Sequence, residues 1–124
     1  MKTRILLVED NVATVEVMQN ELELLGYEVR VARNGAEAVE QASSQQPDVI
    51  IMDILMPKMD GWQATSQIKW NPKTQSIPIL VATALALSND KEKCLASGCD
   101  GYLAKPFTHW ELDAAINTLV TRSR

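Results

Sequence analysis

One histidine, two cysteines and no basic run set the first limits on this chain of 124 residues. His109 stands alone, and Cys94 and Cys99 lie five positions apart with no second pair, so no zinc or redox motif of recognisable spacing can be assembled. The cysteines read instead as two small buried hydrophobes in a reducing compartment. The longest basic cluster, Lys91-Glu92-Lys93, is interrupted by an acid, and the net charge is −4 with a pI near 4.9, which argues against direct contact with nucleic acid. No apolar stretch approaches the roughly 20 residues of a membrane span, and Met1-Lys2-Thr3-Arg4 leads into a strand rather than a signal peptide's apolar core. A cytoplasmic chain without membrane contact is expected. Repeats, low-complexity tracts and linkers are also missing; Pro57, Pro72 and Pro78 punctuate loops. With 46% hydrophobic and 23% charged residues, the composition fits one domain over 1–124.

What is present is a pair of short apolar runs that each stop at a carboxylate. Ile5-Leu6-Leu7-Val8 ends at Glu9-Asp10, and Val49-Ile50-Ile51-Met52 ends at Asp53. Such runs read as buried parallel strands with acids at their C-terminal ends, where open α/β sheets place their sites. Two such strands side by side would gather three carboxylates, whose mutual repulsion needs a cation or raised pKa values. Oxygen-only ligands favour Mg²⁺ over zinc. Taken singly, Glu9 or Asp10 could equally cap the first helix.

Four segments open with a small polar residue followed three positions later by Glu or Gln: Asn34 and Glu37, Asp60 and Gln63, Asn89 and Glu92, Thr108 and Glu111. A further helix begins near Asn11, places Val15, Met18, Leu22 and Leu25 on one face and stops at Gly26. Strands are expected at Ile5 to Val8, Glu28 to Ala32, Val49 to Met52, Ile79 to Ala82 and Gly101 to Ala104. The last helix repeats the apolar stripe with Leu112, Ile116 and Leu119. Five alternations of strand and helix predict a doubly wound α/β fold: a five-stranded parallel sheet with helices on both faces. The two most apolar strands, first and third, belong at its centre, which matches the flavodoxin-like order 2-1-3-4-5.

Four motifs, Leu6-Leu7-Val8-Glu9-Asp10-Asn11, Asp53 to Gly61 (DILMPKMDG), Thr83-Ala84 and Lys105-Pro106, resemble the receiver domain of bacterial two-component response regulators. The resemblance spans essentially the whole chain. It implies that Asp53 is the phosphoacceptor, taking a phosphoryl group from a sensor histidine kinase or a histidine phosphotransfer protein. It also implies that Asp10 and Asp53 ligate Mg²⁺ directly, Glu9 through a water, and Leu55 through its backbone carbonyl. Lys105 would pair with a phosphoryl oxygen and Thr83 would hydrogen-bond another; Pro106 would follow a cis peptide. Thr83 and Tyr102 would form a coupled switch, with the fourth helix, fifth strand and fifth helix as the face read by a downstream protein. Without the resemblance, Thr83 merely ends a strand, Lys105 is a loop lysine and Tyr102 an edge-strand aromatic. Glu9 departs from the Asp often found first in the acidic pair. Leu55 and Leu85 offer nothing to position an attacking water, so slow self-dephosphorylation is expected.

Trp110 falls roughly opposite the Leu112 stripe and is a candidate partner anchor, whereas Trp62 and Trp70 belong to core or rim. A flavin carrier is disfavoured because Glu9-Asp10-Asn11 stands where a glycine- and hydroxyl-rich phosphate loop is needed. A phosphatase with an Asp nucleophile needs a second acid two residues on, where Leu55 stands, so no enzyme with independent turnover is expected. Two rivals stay open: a receiver-like scaffold that is not phosphorylated, and a receiver segment of a hybrid histidine kinase.

Overall fold

In the computed structural model, which describes residues 2–53, 61–83, 92, 96–105 and 107–123, strands and helices alternate along the chain. They are β1 (Arg4–Val8), α1 (Val12–Leu24), β2 (Glu28–Ala32), α2 (Gly35–Gln45), β3 (Val49–Asp53), α3 (Gly61–Trp70), β4 (Ile79–Thr83), β5 (Gly101–Ala104) and a C-terminal helix (His109–Ser123). Glu92, Ala96 and Ser97 are helical too, in the stretch expected as a helix after Asn89. Asn89 and Asp60, both expected as caps, lie outside the described residues.

The described caps follow the residue chemistry. Asn11 Oδ1 accepts from Thr14 N–H at 2.9 Å and Asn34 Oδ1 accepts from Glu37 N–H at 2.9 Å. Thr108 and Glu111 close a reciprocal box, each side chain accepting from the other's N–H at 3.1 and 3.0 Å. Gly26, just beyond α1, adopts a φ of 98°, the left-handed turn that ends the helix there.

All five strands are parallel, in the order β2-β1-β3-β4-β5. Alternate residues of each strand face opposite layers. Ile5 and Leu7 of β1 join Val49 and Ile51 of β3 under α1 and the C-terminal helix, against Met18, Leu22, Leu112 and Ile116. Leu6, Val8, Ile50 and Met52 face α2 and α3, against Ala38, Ala42, Ala64 and Ile68. Each large aliphatic side chain so buried contributes about 1.5–3 kcal/mol, so the two central strands anchor the domain. Gly101 lets the C-terminal helix approach β5 closely: a Cβ there would lie 3.2 Å from Leu80 Cδ1 and 3.3 Å from Leu119 Cδ1.

Two expectations need correction. Trp70, expected at core or rim, is 85% exposed, because α3 buries the face of Ala64, Thr65 and Ile68, and two further residues carry Trp70 around to solvent. Cys99, expected as a buried free thiol, is half-buried and disulfide-bonded. It follows Gly98, which adopts a φ of 87°, in the left-handed region. Cys94, its one possible partner within the sequence, lies outside the described residues. Among the described residues no helix is long and apolar enough to cross a membrane.

Candidate phosphoacceptor site

The sheet register brings the acids together. Val8 pairs with Met52, so the next residues, Glu9 and Asp53, leave adjacent strands side by side. Asp53 in turn pairs with Ala82, one residue before Thr83, and Thr83 pairs with Ala104, one residue before Lys105. Four of the expected site residues therefore converge at the C-terminal ends of β1, β3, β4 and β5, and Asp10 follows directly. Glu9 N–H still donates to Ala32 O at 3.0 Å, which extends the β1–β2 ladder to the rim of the site.

Glu9, Asp10 and Asp53 each offer a carboxylate oxygen within 4.8 Å of the others. Glu9 is buried, Asp53 half-buried and Asp10 exposed. Two unit charges at such separations repel by roughly 3 kcal/mol at an effective dielectric near 20, so the trio is poised for a cation. The donor set is all oxygen, and no cysteine or histidine joins it among the described residues. That composition and the open side at Asp10 fit Mg²⁺, which keeps several waters. Leu55, expected to add its carbonyl, lies outside the described residues, as do Leu85 and Pro106.

Glu9 is held on all sides. Its Oε2 accepts from the backbone N–H of Asp10 at 3.1 Å and of Asn11 at 3.3 Å, and its Oε1 accepts from Lys105 Nζ at 3.3 Å. Burial pushes its carboxyl up, but the hydrogen bond with Asp53, the Lys105 charge and the Asn11 amide together outweigh burial and hold it below the ordinary carboxylate value. The pairing of Glu9 with Lys105 has no signal in the sequence. β1 and β5 are separated in the sheet by β3 and β4, and two long side chains bridge the gap.

The two expected switch residues lie on adjacent strands, β4 and β5. Thr83 is the last residue of β4. Tyr102 lies in β5, half-buried, and packs on the core layer beneath α2 and α3. Trp110 is 69% exposed, as its helical position implied. With His109, Glu21, Leu24 and Leu25 it lines a cavity of about 190 Å³ between α1 and the C-terminal helix.

Comparison with known proteins agrees with this geometry. Residues 5–117 match the family model of the response regulator receiver domain. The chain is 36% identical over 120 residues to the DNA-binding dual master transcriptional regulator RpaA of Synechocystis, covering 97% of this chain and 50% of that protein. It is 34% identical over 108 residues to the polar-differentiation response regulator DivK of Brucella anthropi, covering 87% and 88%. Among solved structures it resembles the receiver domain of the sensor histidine kinase PA1611 from Pseudomonas aeruginosa, which holds a magnesium ion in its active-site cleft. That likeness has a TM-score of 0.91 and 39% identity, and covers 98% of this chain and 99% of the other. The chain spans about half the length of several curated relatives it matches, RpaA among them.

Proposed function

The chain belongs to the response regulator receiver domain family, and from that premise we propose that Asp53 accepts a phosphoryl group from a phosphohistidine. The observation that supports this reading is the register-aligned trio of Glu9, Asp10 and Asp53 with Lys105 drawn in beside it. An Asp53 oxygen forms the new bond to phosphorus as the phosphorus–nitrogen bond of the donor breaks. The leaving electron pair stays on the donor's imidazole, and the product is an aspartyl phosphate. Asp10 and Asp53 would hold Mg²⁺, with the Leu55 carbonyl as a further ligand. The ion supplies charge neutralisation for the transferring group.

Lys105 gives a point charge to a phosphoryl oxygen, and the Thr83 hydroxyl hydrogen-bonds another. Movement of Thr83 toward the phosphate is passed to Tyr102, which alters the face formed by the helix before β5, β5 itself and the C-terminal helix. The donor is a sensor histidine kinase or a histidine phosphotransfer protein, and the signal leaves through protein contacts in the cytoplasm, with Trp110 a candidate anchor. Neither nucleic acid nor membrane is contacted by this domain. Turnover is limited to slow loss of the phosphoryl group, because Leu55 and Leu85 carry no group to position water; a phosphoprotein lifetime of seconds would count against that.

Whether the domain serves a free regulator or a kinase is a second reading with its own support, since 39% identity links it to a receiver carried by a sensor histidine kinase. Intact-mass spectrometry after incubation with acetyl phosphate tests the main proposal. One Mg²⁺-dependent phosphoryl adduct, lost in Asp53→Ala, is the expected result. A folded protein that takes no adduct under conditions where acylphosphates survive would favour an unphosphorylated scaffold.

A further inference from the structure

We propose that the outer edge of β2 pairs antiparallel with the β2 edge of a second copy of this chain, in a register centred on Val29, to form a symmetric and transient dimer. β2 stands at one end of the sheet, so one side of its backbone has no neighbouring strand. The ladder to β1 shows which groups face that open side. Glu28 N–H donates to Thr3 O, and Ala32 O accepts from Glu9 N–H. Glu28, Arg30 and Ala32 therefore bond toward β1, and the N–H and C=O groups of Val29 and Val31 point away from it. An open strand edge of this kind is a template for another strand.

The backbone groups on that edge match their own copy. With Val29 opposite Val29, the two valines exchange both hydrogen bonds, and each Val31 N–H donates to the second copy's Tyr27 O. The remaining groups at the ends of this ladder are already satisfied within the chain: Val31 O accepts from Gln41 Nε2 at 3.2 Å, and Tyr27 N–H donates to Leu22 O at 3.1 Å. Pairing in this register leaves none of the ladder's groups unmatched.

Charge selects the same register. Glu28 and Arg30 are both exposed on one face of the strand, and neither side chain has a hydrogen bond or ion pair among the described residues. Centring on Val29 sets each Glu28 opposite Arg30 of the second copy, between hydrogen-bonded pairs, where Cα atoms approach to about 4.5 Å. A slip of two residues is the smallest that keeps outward groups facing each other. In one direction it sets Arg30 against Arg30, and in the other Glu28 against Glu28, so both alternatives carry repulsion. Backbone bonds and two exposed ion pairs along a strand of five residues make a small interface, and a weak dimer with a submillimolar dissociation constant follows.

Charge reversal tests edge and register together, read by sedimentation equilibrium of the whole chain from micromolar to millimolar concentration. Wild type should show a monomer–dimer equilibrium. Arg30→Glu and Glu28→Arg should each weaken it by about tenfold or more, because each sets like charges across the edge. An equimolar mixture of the two variants should associate at least as tightly as wild type, since every facing pair is then opposite in sign. Hydrogen exchange on wild type gives a reading that needs no variant: the Val29 and Val31 amides should slow as concentration rises, while that of Glu28, already bonded to Thr3 O, should not. A wild type that stays monomeric at millimolar concentration would overturn self-pairing and leave the edge to a foreign strand. A dimer that ignores both reversals, variants that fail to pair when mixed, or valine amides indifferent to concentration would place the contact on another surface.

Discussion

The two ends of the β-sheet carry charge in opposite ways. At the N-terminal end the carboxylates of Asp48 and Asp100 are each hydrogen-bonded within the chain, and Asp100 is also ion-paired. Asp48 Oδ2 accepts from Arg4 N–H at 2.7 Å while Asp48 N–H donates back to Arg4 O at 2.8 Å. Asp100 Oδ2 accepts from Ile79 N–H at 2.8 Å and from Lys69 Nζ at 2.6 Å. Lys69 also donates to Gln75 O and Ile77 O at 3.1 and 2.7 Å, stitching α3 to the approach to β4. At the C-terminal end three carboxylates crowd within 4.8 Å, and Lys105 is the cation paired with them among the described residues. One end is tied down by hydrogen bonds and one ion pair within the chain and serves stability. The other keeps an excess of negative charge that a ligand must complete, which makes it a site.

That contrast is broken most sharply at Asp53. Asp53→Ala should abolish the phosphoryl adduct, as read by intact-mass spectrometry; a surviving adduct would place the acceptor elsewhere. At the opposite end, Lys69→Met should cost about 2–3 kcal/mol in urea unfolding, since it leaves Asp100 and two carbonyls without their donor. Its phosphorylation rate should stay within about twofold of wild type.

Mg²⁺ should close the gap between the ends. At a hundredfold excess over its dissociation constant it should stabilise wild type by about 2.7 kcal/mol. Asp10→Asn should lose most of that gain, as read by differential scanning calorimetry; an equal gain in the variant would place the ion elsewhere. The smallest effect is the pH profile, where the two ends titrate at opposite limits. Glu9 is held below its ordinary value of 4.5, so its contribution to stability is present above that pH and is lost as pH falls through its folded value. Tyr27, at the start of β2, is shifted the other way by burial and by its hydrogen bond to Asp113. Its contribution is full below the ordinary phenol value of 10.0 and declines as pH rises beyond it. Glu9→Gln should flatten only the acid limb and Tyr27→Phe only the alkaline limb, the latter at a cost of about 1 kcal/mol near neutrality.

Much of the architecture was legible because it is written in local patterns. Val15, Met18 and Leu22 are buried on one face of α1 as their spacing required, and Asn11, Asn34 and Thr108 cap the helices that follow them. Trp70 misled because a residue at a helix end takes its exposure from the neighbouring packing, which spacing does not encode. Cys99 misled because a disulfide is decided by which thiols folding brings together, and a cysteine count does not encode that.

By itself the sequence determined the alternation of strand and helix, the central place of β1 and β3, and the carboxylates at their ends, since each follows from periodicity, apolar content and the rule that sites sit where parallel strands stop. Only the tertiary structure decided which charges meet. Glu9 finds Lys105 across two intervening strands, and Lys69 finds Asp100 across 31 positions of chain. Such pairings depend on distance in space, and a charge carries no mark in sequence of the partner that folding will bring to it.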